Sequence, residues 1–315
     1  MASSIDKKTS RLDKSPPQQS ASLPSARDNL RGVAFMMLAM FVFAIVDGIA
    51  KYLTQEFHPL QVVWVRQAGL FAGALFFLIL HGGKIMQSQH IPLQIVRGFC
   101  AALSAVLFIF GISMVPLADA TAVTFVAPLF VVIIGALFLK EPVGIHRWSA
   151  VIIGFIGTLL IIRPGFDGFQ IALFLPLIAA GFFAVRQIIS RYLAASDSLA
   201  TTLCYTAITS FAVTCIPAIA IWQTPATFTP ILLMIILALL GLCGEMLVIK
   251  ALSTGLAVVV APMHYTILIW TSLYGYLFFS QLPDGFTWAG GGIIIATGLY
   301  TLYREQVRKS QSNRS

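Results

Sequence analysis

The sequence predicts an all-α polytopic membrane protein, with ten transmembrane helices arranged as two inverted five-helix repeats. Three observations carry this expectation: a composition too apolar for water, a series of span-length apolar segments, and a repeat at a constant offset. Of the 315 residues, 58% are hydrophobic and only 10% are charged. A soluble domain carries about 25% charged residues, and so few charges could not cover a water-facing surface of this size. The formal net charge is +8. The basic residues sit mostly between hydrophobic runs and at the two ends, not as a continuous patch interleaved with aromatics. That distribution fits the positive-inside pattern and excludes nucleic acid as a partner.

A helix needs about 20 mostly apolar residues to cross a bilayer. Ten segments qualify: 33–53, 59–80, 93–114, 117–139, 147–163, 169–191, 199–221, 229–251, 256–279 and 286–303. Pro59, Pro92, Pro116 and Pro230 stand at starts, where the missing proline N–H has no helical partner to lose. Residues 1–28 are polar, contain Lys7, Lys8, Arg11, Lys14 and Arg27, and lack an apolar core. They read as a disordered cytoplasmic tail and not as a signal peptide. Residues 305–315 read as a second cytoplasmic tail. With the N-terminus inside, Lys84, Lys140, Arg147, Arg191, Lys250, Arg304, Arg308, Lys309 and Arg314 all fall on the inner side, and only Lys51 and Arg163 fall on the outer. The expected location is therefore the plasma (inner) membrane, multi-pass, with both termini cytoplasmic.

The repeat is visible in FVFAIVDGIAKYLT (41–54) against GFFAVRQIISRYLA (181–194), an offset of 140. Phe43/Phe183, Ala44/Ala184, Ile49/Ile189, Tyr52/Tyr192 and Leu53/Leu193 are identical, and Lys51/Arg191 keeps its charge. The same register pairs Phe71/Phe211, Leu93/Leu233, Ser113/Ser253, Phe138/Phe278 and Trp148/Trp288. The predicted units are 29–165 and 166–304. Five spans per unit is an odd number, so the second copy enters the membrane from the opposite side. Inverted repeats of this kind place a substrate site between the halves, near the midplane.

The stretch AVTFVAPLFVVIIGALFLKEPVGIHRWSAVIIGFIGTLLIIRPG (122–165) resembles the end of an EamA-type domain of the drug/metabolite transporter superfamily. The residues that carry the resemblance are Pro128, the Glu141–Pro142 ending of the fourth span, the Gly154/Gly157 helix and its Arg163-Pro164-Gly165 terminus, together with Arg66 in QVVWVRQ. The likeness covers about residues 32–303. The second half departs from the pattern, with Gln281 where the first has Glu141. The resemblance implies ten spans and the transport of metabolites, often amino-acid-like, in a bacterial inner-membrane permease.

An ionisable group inside lipid costs about 2.5–3.5 kcal/mol and persists when it is paired or lines a wet cavity. Asp47 and Arg66 lie at similar depth on adjacent antiparallel spans. They form either a static neutralising pair or a pair that engages substrate. Phe43, Asp47 and Lys51 share one helix face by i, i+4 spacing. Arg186 and Glu245 lie at similar depth toward the inner side, and the two pairs are expected to flank one central site as alternating gates. His264, beside Tyr265, is the candidate for proton coupling; a hydrogen-bonded packing role is its alternative. Trp64, Tyr205 and Trp270, with Tyr274, are candidate aromatic walls. Gln67 and Gln187 read as interhelical hydrogen-bond residues, and Gly69 and Gly73 as a close-packing GxxxG. Asp119 suits the positive end of a helix dipole, and Pro128 and Pro262 are expected to kink their spans.

Cys100, Cys204, Cys215 and Cys243 lie in apolar runs without ligand spacing, so neither a disulfide nor a metal site is expected. No HExxH, GxSxG or GxxxxGK[ST] occurs, so the reading is a non-enzyme without cofactor, driven by a gradient of substrate or of protons. Its partners are a small-molecule substrate and the bilayer. Three cargo classes remain: an amino-acid-like zwitterion, a flavin, and an S-adenosylmethionine-like compound. An intramembrane enzyme or a receptor is the non-transport alternative.

Overall fold

A computed structural model describes residues 25–138, 144–163 and 170–312. The described residues contain helices and no strands. The helices are α1 (Ala26–Leu53), α2 (Pro59–His81), α3 (Ile91–Met114), α4 (Leu117–Thr124), α5 (Ala127–Phe138), α6 (Ile145–Ile162), α7 (Phe174–Leu193), α8 (Leu199–Ala220), α9 (Phe228–Thr254), α10 (Ala257–Val260), α11 (Ile267–Phe279) and α12 (Gly285–Ser312). Seven helical stretches are long and apolar enough to cross a membrane, and Trp148–Ile162 is a shorter apolar helix.

Local chemistry explains the boundaries. Ser25 caps α1: its hydroxyl accepts from the Asp28 N–H, and the Asp28 carboxylate accepts from the Ser25 N–H. This capping box starts the helix at Ala26, seven residues before the expected apolar segment. Pro59 and Pro92 occupy first-turn positions in α2 and α3, and Ser198 caps α8 through the Thr201 N–H.

Two expected spans are not continuous. Segment 117–139 breaks at Phe125–Val126, between α4 and α5. Segment 256–279 begins as the four-residue α10, passes through a 3-10 stretch at Ala261–Thr266 that contains Pro262, and resumes as α11. Proline lacks the N–H that an α-turn needs and crowds the preceding carbonyl, which accounts for the second break. Pro128 sits in the first turn of α5, where it is tolerated, so it does not kink a helix.

Packing follows a regular scheme. α1 lies on α9, and α3 on α7; α2 packs against both α8 and α9, and α3 also against α8; α6 packs on α12. α1 meets α11, while α5 meets α7. Phe71 stacks on Phe211, with ring centroids 4.5 Å apart and planes 9° apart. Phe125 meets Tyr265 edge to face at 5.0 Å. Gly69 lets α2 approach the Ala238 backbone, and Gly98 lets α3 approach the Thr209 side chain. A Cβ at Gly69 would stand 2.2 Å from the Ala238 carbonyl oxygen.

The main buried cluster runs along α1 to its end. Ala50, Leu53, Phe57, Val62, Ile112, Val115, Leu117 and Ala118 are all buried there in one cluster that continues through Val123, Ile162 and Leu237. A smaller cluster of Val126, Ala127, Leu129, Val151 and Ala180 lies further along the bundle. Beneath the Leu53 end the helices are therefore packed side chain to side chain. Lys140, Glu141, Pro142, Pro164 and Gly165, and the tail over residues 1–24, fall outside the described residues.

Candidate functional site

Asp47 lies six residues before the end of α1, and Arg66 lies seven residues after the start of α2. At 1.5 Å per residue, both stand about 10 Å in from the Leu53 end, so the short connection brings them together. Arg66 Nη1 is 3.6 Å from Asp47 Oδ1, and Asp47 is only 5% exposed. The contact is an ion pair without a hydrogen bond, since Asp47 Oδ1 has no hydrogen-bond partner. The Arg66 guanidinium lies over the Phe43 ring, 6.0 Å from its centroid. On α9, Gly244 admits that ring and Gly241 leaves room for the Arg66 stem. Glu245 follows on the same helix.

Lys51 shares the Asp47 face but serves a different end. It is 6% exposed, and its ammonium donates to the Ile112 carbonyl at 2.7 Å and the Val115 carbonyl at 2.6 Å. These carbonyls close α3, where a cation meets the negative end of the helix dipole. Lys51 is therefore a buried fastener, not the outer-surface charge that the positive-inside count assigns to it. Nearby, the Thr287 hydroxyl donates to Asp119 Oδ1 at 2.9 Å, and Arg163 pairs with Asp284.

The opposite half holds a cluster that the sequence reading did not assemble. Arg97 of α3 is 6% exposed. Its Nε donates to Ser190 Oγ at 2.7 Å, and its Nη1 donates to the Thr202 carbonyl at 3.3 Å and to the Thr206 hydroxyl. Arg186 and Glu245 both act on it electrostatically. Arg186 does not form the expected ion pair with Glu245; its guanidinium lies over Phe183, 5.1 Å from the ring centroid. Arg186 Nε is buried without a hydrogen-bond partner. Arg97, four residues inside the expected start of its span, is not among the candidates that the sequence offered. The available signal was the hydroxyl spacing of Thr202 and Thr206, one turn apart on α8, opposite an arginine followed by Gly98.

The aromatic candidates separate. Trp64 packs on Phe211 and Trp222, with centroids 5.4 and 5.5 Å away. Two residues along a helix turn the side chain by about 200°, so Trp64 faces away from Arg66. It lines an apolar cavity of about 290 Å³ with Trp222, Pro225 and Met234. The Tyr205 hydroxyl donates to the Met86 carbonyl at 3.0 Å and ties α8 to the α2–α3 connection. Trp270 meets Phe41 edge to face at 5.0 Å, with its Nε1 buried and unpartnered. His264 and Tyr265 occupy the 3-10 stretch; His264 is exposed, and Tyr265 packs on Phe125. Gln67 is buried, whereas Gln187 is exposed. A polar cavity of about 400 Å³ opens at the Leu53 end beside Lys51, Gln55, Ser280 and Gln281.

In the connection between α7 and α8, Asp197 accepts from Ser88 Oγ, from Gln94 Nε2 at 2.7 Å and from the Gln89 N–H at 3.3 Å. These bonds, the Ser88 hydroxyl foremost, hold its carboxyl below the usual range. The four cysteines are free, and among the described residues no three His, Cys, Asp or Glu side chains are grouped to hold a metal ion.

The described residues form a polytopic helical bundle with a buried Asp47–Arg66 ion pair between its helices, and sequence comparison gives the class and the family. The chain belongs to the EamA-like transporter family, whose model matches residues 30–163. The S-adenosylmethionine uptake transporter of Rickettsia bellii is 30% identical over 284 residues, covering 89% of this chain and 96% of the relative. The riboflavin transporter of Vibrio cholerae is 29% identical over 290 residues, covering 91% and 97%. The pseudopaline exporter CntI of Pseudomonas aeruginosa is 28% identical over 269 residues, covering 84% and 93%. One solved crystal structure superimposes with a TM-score of 0.59 at 16% identity, covering 89% of this chain and 98% of its own, a likeness of fold.

Proposed function

We propose that the chain is a secondary carrier of a small amphipathic metabolite with a zwitterionic head and an aromatic body, working by alternating access between two inverted halves. The observation that carries this reading is the buried Asp47–Arg66 pair, whose Asp47 oxygen lacks a hydrogen-bond partner. A pair whose only role is mutual neutralisation gains most from direct hydrogen bonds. A 3.6 Å contact beside the Phe43 ring leaves both charges free to turn to a cargo.

Recurrence of contacts at the offset of 140 supports the two halves. Gly69 against Ala238 exchanges with Gly98 against Thr209, since 69 maps to 209 and 98 maps to 238. Phe71 and Phe125 each meet their own counterparts, Phe211 and Tyr265. Self-paired residues lie on a pseudo-two-fold axis, and these two pairs mark its course. The two broken segments meet at Phe125 and Tyr265, as expected of discontinuous helices at a transport site. In this reading the chain makes ten spans with both termini cytoplasmic, and the Leu53 end is the outer side. His264, on the inner half, is the candidate proton carrier.

The names of the relatives span S-adenosylmethionine and riboflavin. The charged groups at both ends of the proposed path favour the zwitterion, with a flavin as the second reading. Thermal unfolding of the purified protein with S-adenosylmethionine, riboflavin, or free amino acids tests this. A specific cargo at 100 times its Kd stabilises by about 2.7 kcal/mol, a shift of several degrees. S-adenosylmethionine is expected to raise Tm in wild type and not in Asp47→Asn. Stabilisation by riboflavin alone would overturn the zwitterion.

A further inference from the structure

We infer that Arg97 and Arg186 form an oxyanion subsite in the half of the bundle opposite the Asp47–Arg66 pair, and that it takes the carboxylate of the cargo. The inference rests on the carrier reading and names the chemical feature that the carrier selects. Arg97 is held in one orientation by Ser190, Thr202 and Thr206, through its Nε and Nη1. Ser190 also donates to the Arg186 carbonyl at 2.7 Å, so one hydroxyl links the two arginine positions. Arg186 keeps a buried Nε without a hydrogen-bond partner.

The charges do not balance. Around Arg97, two guanidiniums and one carboxylate, Glu245, leave one positive charge in excess, and the two arginines repel each other. Arg97 is the buried member of the group, and a buried cation gains from an added counter-ion. A carboxylate between the arginines would supply the missing charge, and a guanidinium binds a carboxylate through paired N–H donors. The pre-set Arg97 and the under-bonded Arg186 together offer such donors. Glu245 stands by as the anionic neighbour for the amino group of the same zwitterion. At the other end the order of charges is different, with one arginine and one aspartate in direct contact. A zwitterion moving between the two sites exchanges one carboxylate partner, Arg66, for another.

The test compares cargoes that differ in the carboxylate. Counterflow is measured in proteoliposomes with S-adenosylmethionine, which carries a carboxylate, and with decarboxylated S-adenosylmethionine and riboflavin, which carry none. Arg186→Met and Arg97→Gln are each expected to reduce S-adenosylmethionine exchange about tenfold, the worth of a charge-assisted hydrogen bond, with little change for the other two. Equal losses for probes with and without the carboxylate overturn the assignment. Thermal unfolding keeps the test independent of cargo. Arg186→Met removes the like-charged neighbour of Arg97 without touching the bonds of Arg97, a relief that offsets the lost contact with Phe183, so Tm of the empty protein is expected not to fall. A fall in Tm identifies Arg186 as a structural counter-ion of Glu245 and overturns the subsite. Absence of exchange with every probe defeats the cargo reading alone, and the thermal result then decides the subsite.

Discussion

Replacing Arg66 with leucine abolishes exchange and destabilises the protein by about 3–5 kcal/mol, the cost of leaving a buried charge without its partner. Arg66 is the ion-pair partner of Asp47 at 3.6 Å, and Asp47 Oδ1 receives no hydrogen bond. The loss is read as a fall in Tm together with the counterflow rate. The swapped double variant, Asp47→Arg with Arg66→Asp, separates structure from function. It restores the neutral pair and much of the stability, while the charges now face the cargo in the wrong order. Exchange is therefore expected to stay below a tenth of wild type. Normal exchange in the swapped protein would show that the pair only neutralises itself.

Gly69→Ala is expected to destabilise the protein by about 1–3 kcal/mol, the range for overpacking a tight contact, although alanine favours a helix by about 1 kcal/mol over glycine. The new methyl would meet the α9 backbone at Ala238, which cannot rotate away as a side chain can. Its counterpart Gly98→Ala meets Thr209 Cβ, which is fixed to the α8 backbone, so a loss of similar size is expected there. Gly181→Ala in α7 meets nothing within 4 Å and serves as the control that shows the propensity gain alone. Equal Tm in Gly69→Ala and Gly181→Ala would remove the close α2–α9 approach from the account.

The elements were legible wherever lipid sets the rule. A span must be long and apolar, so the segments from α1 to α3 and from α7 to α9 could be read to within a few residues at their membrane ends. The start of α1 was not, because a polar capping box lengthens a helix without adding apolar residues. The break in segment 256–279 was half legible: Pro262 was visible, but its 3-10 geometry depends on the neighbouring helices. Among the charges, Asp47 and Arg66 could be brought together because a short connection joins their helices. Arg97 could not, because its partners Ser190, Thr202 and Thr206 come from distant helices and are individually unremarkable hydroxyl residues. Lys51 misled for the opposite reason. A lysine near a helix end counts as topological charge, and only the fold shows that the end of α3 covers it.

Counterflow in sealed proteoliposomes tests the carrier most directly. Vesicles loaded with unlabelled S-adenosylmethionine and diluted into a trace of labelled compound need no ATP and no imposed ion gradient. Transient accumulation of label inside above the outside level is expected, because a site that alternates between two faces exchanges one bound molecule for another. The Arg66→Leu protein should show none. Equilibration without overshoot would mean a passive pore, and retention of label at the level of empty vesicles would mean a binding protein that does not move its ligand; either result contradicts alternating access.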